Sequence, residues 1–125
     1  MKIRKEKAGE LLILRPAGRL DSENSPSFEK AVEEAVGKGD KNIVIDMSDV
    51  NYMSSRGLRA FLTAAKCAQA AGGKLVACSS QEAVQKVFDM TGVATILGVF
   101  GTSEEATLSF DMTPGARGDA DADAR

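Results

Sequence analysis

Residues 43–62 read Ile-Val-Ile-Asp-Met-Ser-Asp-Val-Asn-Tyr-Met-Ser-Ser-Arg-Gly-Leu-Arg-Ala-Phe-Leu. Ile43 to Met47 is a short apolar run rich in β-branched residues, the pattern of a strand buried on both faces. A polar loop follows. From Ser54 the apolar residues change to helical period: Leu58, Phe61, Leu62 and Ala65. The stretch therefore predicts strand, loop and helix N-terminus, with two hydroxyls where the first backbone N–H groups of a helix lack partners. Such a place suits an anion, including a phosphate attached to serine.

The chain on either side extends this alternation. Upstream, residues 1–7 form a strand candidate, Ala8-Gly9-Glu10 a turn, and Leu11 to Leu14 a second strand, together an antiparallel pair. Pro16 is expected to end the pairing or to sit at an edge. Ser25-Pro26 fits a helix start, Phe28, Ala31, Val32, Ala35 and Val36 recur at helical spacing, and Gly37 and Gly39 close the helix. Downstream, the helix begun at Ser54 runs to about Ala71 before Gly72-Gly73, and Lys74 to Cys78 is another strand. Ser79 and Glu82 have capping-box spacing before a helix marked by Val84, Val87 and Phe88 and ended by Gly92. Ile96 to Phe100 is read as a last strand, and Thr102 with Glu105 repeats the capping-box spacing before a short helix. The order ββαβαβαβα predicts an α/β fold: a mixed, mostly parallel sheet with an N-terminal β-hairpin and right-handed helical crossovers. One domain over 1–112 follows. From Thr113 the chain turns to Pro, Gly, Ala, Asp and Arg, and 113–125 is read as a disordered tail.

Composition narrows the function. In 125 residues the hydrophobic share is 43% and the charged share 27%, ordinary for one globular domain. A net charge of −2 supplies no general attraction to nucleic acid or to an anionic membrane. No apolar run approaches the roughly 20 residues of a membrane span. Residues 1–10 are mixed in charge with no signal-peptide core, so a cytoplasmic location is expected. Cys67 and Cys78 lack metal-ligand spacing and are read as reduced buried thiols. There is no histidine, which removes Ser-His-Asp and Cys-His catalysis and most zinc sites. Ser55 as the nucleophile of a small hydrolase or transferase would lack an evident base, and the glycine-rich phosphate loops of nucleotide-binding modules are missing. Neither a cofactor nor a metal is expected.

Four pieces in order carry a resemblance: Gly18-Arg19-Leu20-Asp21, Asp46-Met47-Ser48-Asp49-Val50, Tyr52-Met53-Ser54-Ser55-Arg56-Gly57-Leu58 and Val87-Phe88-Asp89-Met90-Thr91-Gly92. Over roughly residues 3–110 the chain resembles a STAS domain of the bacterial anti-sigma factor antagonist type. The resemblance implies a non-enzymatic partner switch. The unphosphorylated protein would bind an anti-sigma factor serine kinase of the GHKL type and release a sigma factor. Phosphorylation would turn it off, and a serine phosphatase would reset it. The family pattern around the modified residue is Asp-Ser-Ser/Thr-Gly-Leu, which places the phosphorylated hydroxyl at Ser55. Ser54 then stands at the Asp position and Arg56 at the second Ser/Thr position, while Gly57 and Leu58 match. The acidic neighbour is thus lost, and Arg56 and Arg59 add positive charge.

The same resemblance makes Asp21, Ser54, Ser55, Arg56, Gly57 and Leu58 the candidate partner-binding residues. Each also has a plainer reading. Ser54 is a helix N-cap. Asp21 could equally cap the loop after its strand. Gly57 could admit another backbone or pack tightly against the sheet. Met53 and Leu58 could face a partner or be buried. Asp46 and Asp49 are read as stabilising the strand–loop junction. If Ser55 is only a cap, the domain is instead a constitutive scaffold subunit of a signalling or transport assembly.

Overall fold

The computed structural model describes residues 1–111; the tail expected over 113–125 lies outside them. Strand β1 (Lys2–Ala8) turns through Gly9 and Glu10 into β2 (Leu11–Leu20), and the two pair antiparallel from Ala8↔Leu11 to Lys2↔Ala17. Gly9 has φ +64°, the left-handed backbone such a tight turn demands and glycine adopts freely. There follow α1 (Ser25–Gly37), β3 (Asn42–Asp46), β4 (Val50–Met53), α2 (Ser55–Ala70), β5 (Lys74–Cys78), α3 (Glu82–Thr91), a 3-10 turn at Val93–Thr95, β6 (Val99–Phe100) and α4 (Ser103–Asp111).

The expected architecture is present, with one strand more than the pattern showed. The sheet order is β1-β2-β3-β5-β6, antiparallel only at β1–β2, and β4 pairs parallel with β2. β3 covers β2 only at Leu12–Leu14, which leaves the backbone groups of Gly18–Leu20 open. The segment read as a polar loop supplies β4, which fills that space in the pairs Gly18↔Val50, Arg19↔Tyr52 and Leu20↔Met53. With Asn51 and Tyr52 exposed between buried Val50 and Met53, β4 has no period-2 signature to read.

Three smaller expectations are corrected. Pro16 neither ends β2 nor lies on an edge strand; it pairs with Ile3 inside β2. It falls between the two parallel pairings of β2, where a missing N–H interrupts neither. The last strand is Val99–Phe100 and not Ile96–Phe100. The amides of Thr95 and Ile96 are already bonded to the carbonyls of Gly92 and Val93, at 3.0 and 2.8 Å, so the chain joins the sheet later. The Ser79–Glu82 box does not form. Ser79 is drawn to φ +60° with its amide on the Phe100 carbonyl, and α3 starts after Gln81 with no side-chain cap. The second box forms in half: Thr102 Oγ1 accepts from the Glu105 amide at 3.1 Å, while Glu105 Oε1 accepts from the amide of Gly101, one residue before the cap, rather than from that of Thr102.

Parallel strands laid down in the single direction β2, β3, β5, β6 by right-handed crossovers place α1, α2 and α3 on the same face. That face holds the main core. Phe28 of α1, Phe61 of α2 and Phe88 of α3 are fully buried, and Phe61 is the middle ring. It lies 5.8 Å from Phe28, near parallel, and 5.6 Å from Phe88, tilted. The other face carries α4, whose Ala106 and Phe110 pack with Leu11, Ile13, Val44, Val76 and Cys78. Burial on both faces explains the unbroken apolar runs of β2, β3 and β5.

Candidate functional site

Leu20, at the end of β2, is the fixed point of the site. Its carbonyl accepts the amide of Ser54 at 3.0 Å, and its Cα pairs with Met53 of β4. Gly57 rests directly on its backbone: a Cβ there would lie 2.0 Å from the Leu20 carbonyl oxygen. Of the two readings of Gly57, the structure shows the tight packing against the sheet. The last residues of β2, the end of β4 and the first turn of α2 are thereby tied into one block.

Ser54 is the N-cap of α2. Its backbone is extended (φ −88°, ψ 173°) and its Oγ accepts the Gly57 amide at 3.0 Å. A cap of this kind contributes about 1 kcal/mol. Ser55 is the first helical residue and is exposed. Its hydroxyl has no hydrogen-bond partner among the described residues. The two serines that look equivalent in sequence are thus separated by their backbones: one side chain turns back onto the helix, and the other faces solvent. Arg56 and Arg59 are exposed and line one shallow depression with Ser55. Met53 is buried, and Leu58 is half-buried against the core.

Asp21 follows β2 and organises the turn into α1. Its Oδ1 accepts the amides of Glu23 and Asn24, both at 3.1 Å, and its Oδ2 meets Arg19 Nε at 3.3 Å. These are the contacts of a loop cap, although Asp21 still stands on the rim of the block that carries Ser55. The Asn24 amide, with Arg19 and the Glu23 amide, holds the Asp21 carboxyl below the usual aspartate range against the opposing effect of desolvation. The folded state therefore prefers the charged form. Its contribution to stability is complete above the unfolded-chain value of about 4 and is lost as pH falls through the lower folded value. The Tm advantage of the native protein over Asp21→Ala is accordingly expected to be largest near neutral pH and to shrink in thermal melts taken towards about pH 3. An advantage that stays constant or grows with acidification would contradict this role.

Asp46 joins the sheet to the same loop: Oδ1 accepts the Ser48 amide at 3.0 Å and Oδ2 meets Arg15 Nε at 3.2 Å. Asp49 pairs with Arg4 at 3.6 Å, and its carbonyl accepts the Gly18 amide at 2.9 Å. Both brace the strand–loop junction, as their positions suggested. Cys67 and Cys78 are free thiols; Cys78 is buried as expected, but Cys67 is only half-buried, at the margin of the buried face of α2. Burial, first among the influences on it, pushes the Cys78 thiol up, so it is a poor nucleophile at neutral pH. Among the described residues no group of three or more acidic, Cys or His side chains could hold a metal.

The structure adds a residue that the sequence reading did not select. Tyr52 is 40% exposed, and the Arg19 guanidinium lies over its ring, 4.1 Å from the centroid. Arg19 also contacts Asp21, so Tyr52, Arg19 and Asp21 form one ordered surface beside the start of α2. An aromatic in a segment otherwise read as loop was the only available signal, and its neighbour comes from a strand more than thirty residues earlier.

Comparison with known proteins bears on the fold that carries this site. The STAS domain family matches residues 2–106. The chain is 33% identical over 110 residues to BtrV of Bordetella bronchiseptica, covering 88% of this chain and 95% of that one. It is 30% identical over 88 residues to the anti-sigma-B factor antagonist of Bacillus subtilis strain 168, covering 70% and 80%. The crystal structure of TM1081 from Thermotoga maritima superposes with a TM-score of 0.80 at 27% identity, covering 86% of this chain and 92% of that one.

Proposed function

The chain belongs to the STAS domain family, and we propose that it is an anti-sigma factor antagonist switched by phosphorylation of Ser55. The observation that carries the reading is the division of labour between the two serines. Ser54 is consumed as the cap of α2, whereas the Ser55 hydroxyl is exposed and unengaged at the edge of a rigid block. The similarity to a protein named as an anti-sigma-B factor antagonist supports the partner class.

In this reading the unphosphorylated protein docks on a cytoplasmic anti-sigma factor through Asp21, Arg19, Tyr52 and residues 54–58. Gly57 has no side chain to offer, so its part is to fix the height of α2. The anti-sigma factor, a GHKL-type serine kinase, transfers the terminal phosphoryl group of ATP to Ser55 Oγ. The hydroxyl proton is lost, a P–O bond forms to Ser55, and ADP leaves. The antagonist is only the substrate. The phosphate adds about −1.5 to −2 charges to a contact that otherwise carries Arg56 and Arg59 beside Ser55. Desolvating that charge in the interface opposes docking by a few kcal/mol, about a hundredfold in affinity. A phosphatase restores the hydroxyl by hydrolysis.

The test is mass spectrometry of the protein isolated from its own cells under two growth conditions, with co-purifying proteins identified and Ser55→Ala as the control. Expected are a phosphate on Ser55 whose occupancy changes with condition, its loss in Ser55→Ala, and a kinase partner retained by that variant. Phosphate that persists in Ser55→Ala would refute the site. Unmodified protein recovered in both conditions with scaffold or transporter subunits bound would favour a constitutive scaffold.

A further inference from the structure

Five arginines lie among the described residues. Arg4, Arg15 and Arg19 each meet a carboxylate: Asp49, Glu6 with Asp46, and Asp21. Arg56 and Arg59 meet none among the described residues. They belong to a helix, α2, that contains no aspartate or glutamate over Ser55–Ala70 and carries Arg56, Arg59 and Lys66 along its exposed side. The first turn of a helix favours negative charge and disfavours positive charge. α2 has no acidic residue there and has Arg56. Among the described residues no carboxylate compensates this arrangement. A local charge rule broken without internal compensation is a mark of function.

We propose that Arg56 and Arg59 form a clamp that closes on a phosphate carried by Ser55, so that the phosphorylated chain holds and largely neutralises its own new charge. The inference rests on the reading of Ser55 as the modified residue. The three side chains already lie together, because Ser55, Arg56 and Arg59 line one open depression and, among the described arginines, these two lack a carboxylate partner. Arg59 is one helical turn from Ser55, the spacing at which side chains on a helix surface meet. Guanidinium forks match phosphate oxygens in paired hydrogen bonds. The helix end alone offers less than usual, since Ser54 Oγ already occupies the Gly57 amide.

The clamp changes what phosphorylation does. Adding the phosphate also withdraws two cations from the surface a partner meets. It leaves the fold intact, because the new charge is satisfied locally on exposed side chains.

Phosphoserine installed at position 55 by genetic-code expansion, in the full chain, allows a direct test. Its second ionisation, ordinarily near pH 6, is followed by phosphorus NMR in the native background and in the R56A/R59A double variant. Both positions are exposed and alanine suits a helix, so the variant is expected to fold. The native background should titrate lower than the double variant by roughly half a unit to one unit, at or below the low end of what a neighbouring arginine does to an acidic side chain, because the site is open to solvent. The difference should narrow in high salt. Equal titration in the two backgrounds would overturn the clamp and leave any effect to the helix end. Because the phosphate is installed independently of any kinase, that result would not touch the proposed function. Absence of Ser55 phosphorylation in cells would defeat the proposed function without deciding the clamp.

Discussion

A Gly57→Ala variant is expected to lose about 3 kcal/mol of stability, the upper end of the range for overpacking a filled site. The added methyl carbon would lie 2.0 Å from the Leu20 carbonyl oxygen and 2.7 Å from its carbonyl carbon. Both are main-chain atoms, so no side chain can swing aside. Either β2 or α2 must move. Movement of α2 pulls on the Ser54 amide, which is bonded to the same Leu20 carbonyl, and on the cap that Ser54 places on Gly57. The substitution should therefore strike stability and site together. Urea titration at 25 °C reads the first effect. The second should appear as weakened anti-sigma factor binding under conditions where the variant is still folded. A stability loss well under 1 kcal/mol would show that α2 can ride outward on the sheet, and that Gly57 does not set its height. Alanine is otherwise the better helix former by about 1 kcal/mol, so a loss in its place isolates the contact with Leu20.

Phe61→Ala is expected to cost about 3–5 kcal/mol, the largest effect of any single change considered. Phe61 is fully buried at the centre of the Phe28–Phe61–Phe88 row, so its removal leaves two other rings without their partner. The backbone beneath is held by three helices and the sheet, and so can collapse only partly into the space. Small domains have about 5–15 kcal/mol in total, which puts the variant close to unfolding at physiological temperature. Phe61→Leu keeps most of the buried area and should lose markedly less. Equal losses for Ala and Leu in urea titration would mean that stacking of the rings, and not volume, dominates. A loss below about 1.5 kcal/mol for Ala would contradict the packing described. Unlike Gly57→Ala, this change is expected to lower the amount of folded protein without altering the affinity of the folded fraction, because Phe61 is fully buried and presents no atom to a partner.

The two variants mark how differently the sequence disclosed its information. Phe28, Phe61 and Phe88 lie on helical periods, and that each faces the core was readable from spacing alone. The spacing does not say that the three rings form one row. That depends on α1, α2 and α3 occupying adjacent places on one face of the sheet. The hairpin, the helices and the main parallel strands were legible because each repeats a local pattern over several residues. β4 was not, because four residues with two exposed in the middle carry no pattern, and the strand exists only where β3 stops short of the end of β2. The shortened last strand and the unused Ser79–Glu82 spacing have the same origin: neighbouring backbone groups took the hydrogen bonds first.

The candidate site divides along the same line. Hydroxyls ahead of an apolar helical run pointed, without any coordinates, to the start of α2 as a place where helix amides lack helical partners and two serines stand together. Residue order likewise set the assignment of Ser54 as cap, since an N-cap is a matter of local backbone and of the amide three residues on. The tertiary structure decided what touches that start. It laid Gly57 on Leu20, set Arg19 over Tyr52 and beside Asp21, and left Arg56 and Arg59 as the arginines without a carboxylate among the described residues. Local preferences extend over a few residues and are written into their order. Close approach, ring stacking and ion pairing join residues tens of positions apart, and these become fixed only when the sheet brings their strands and helices together.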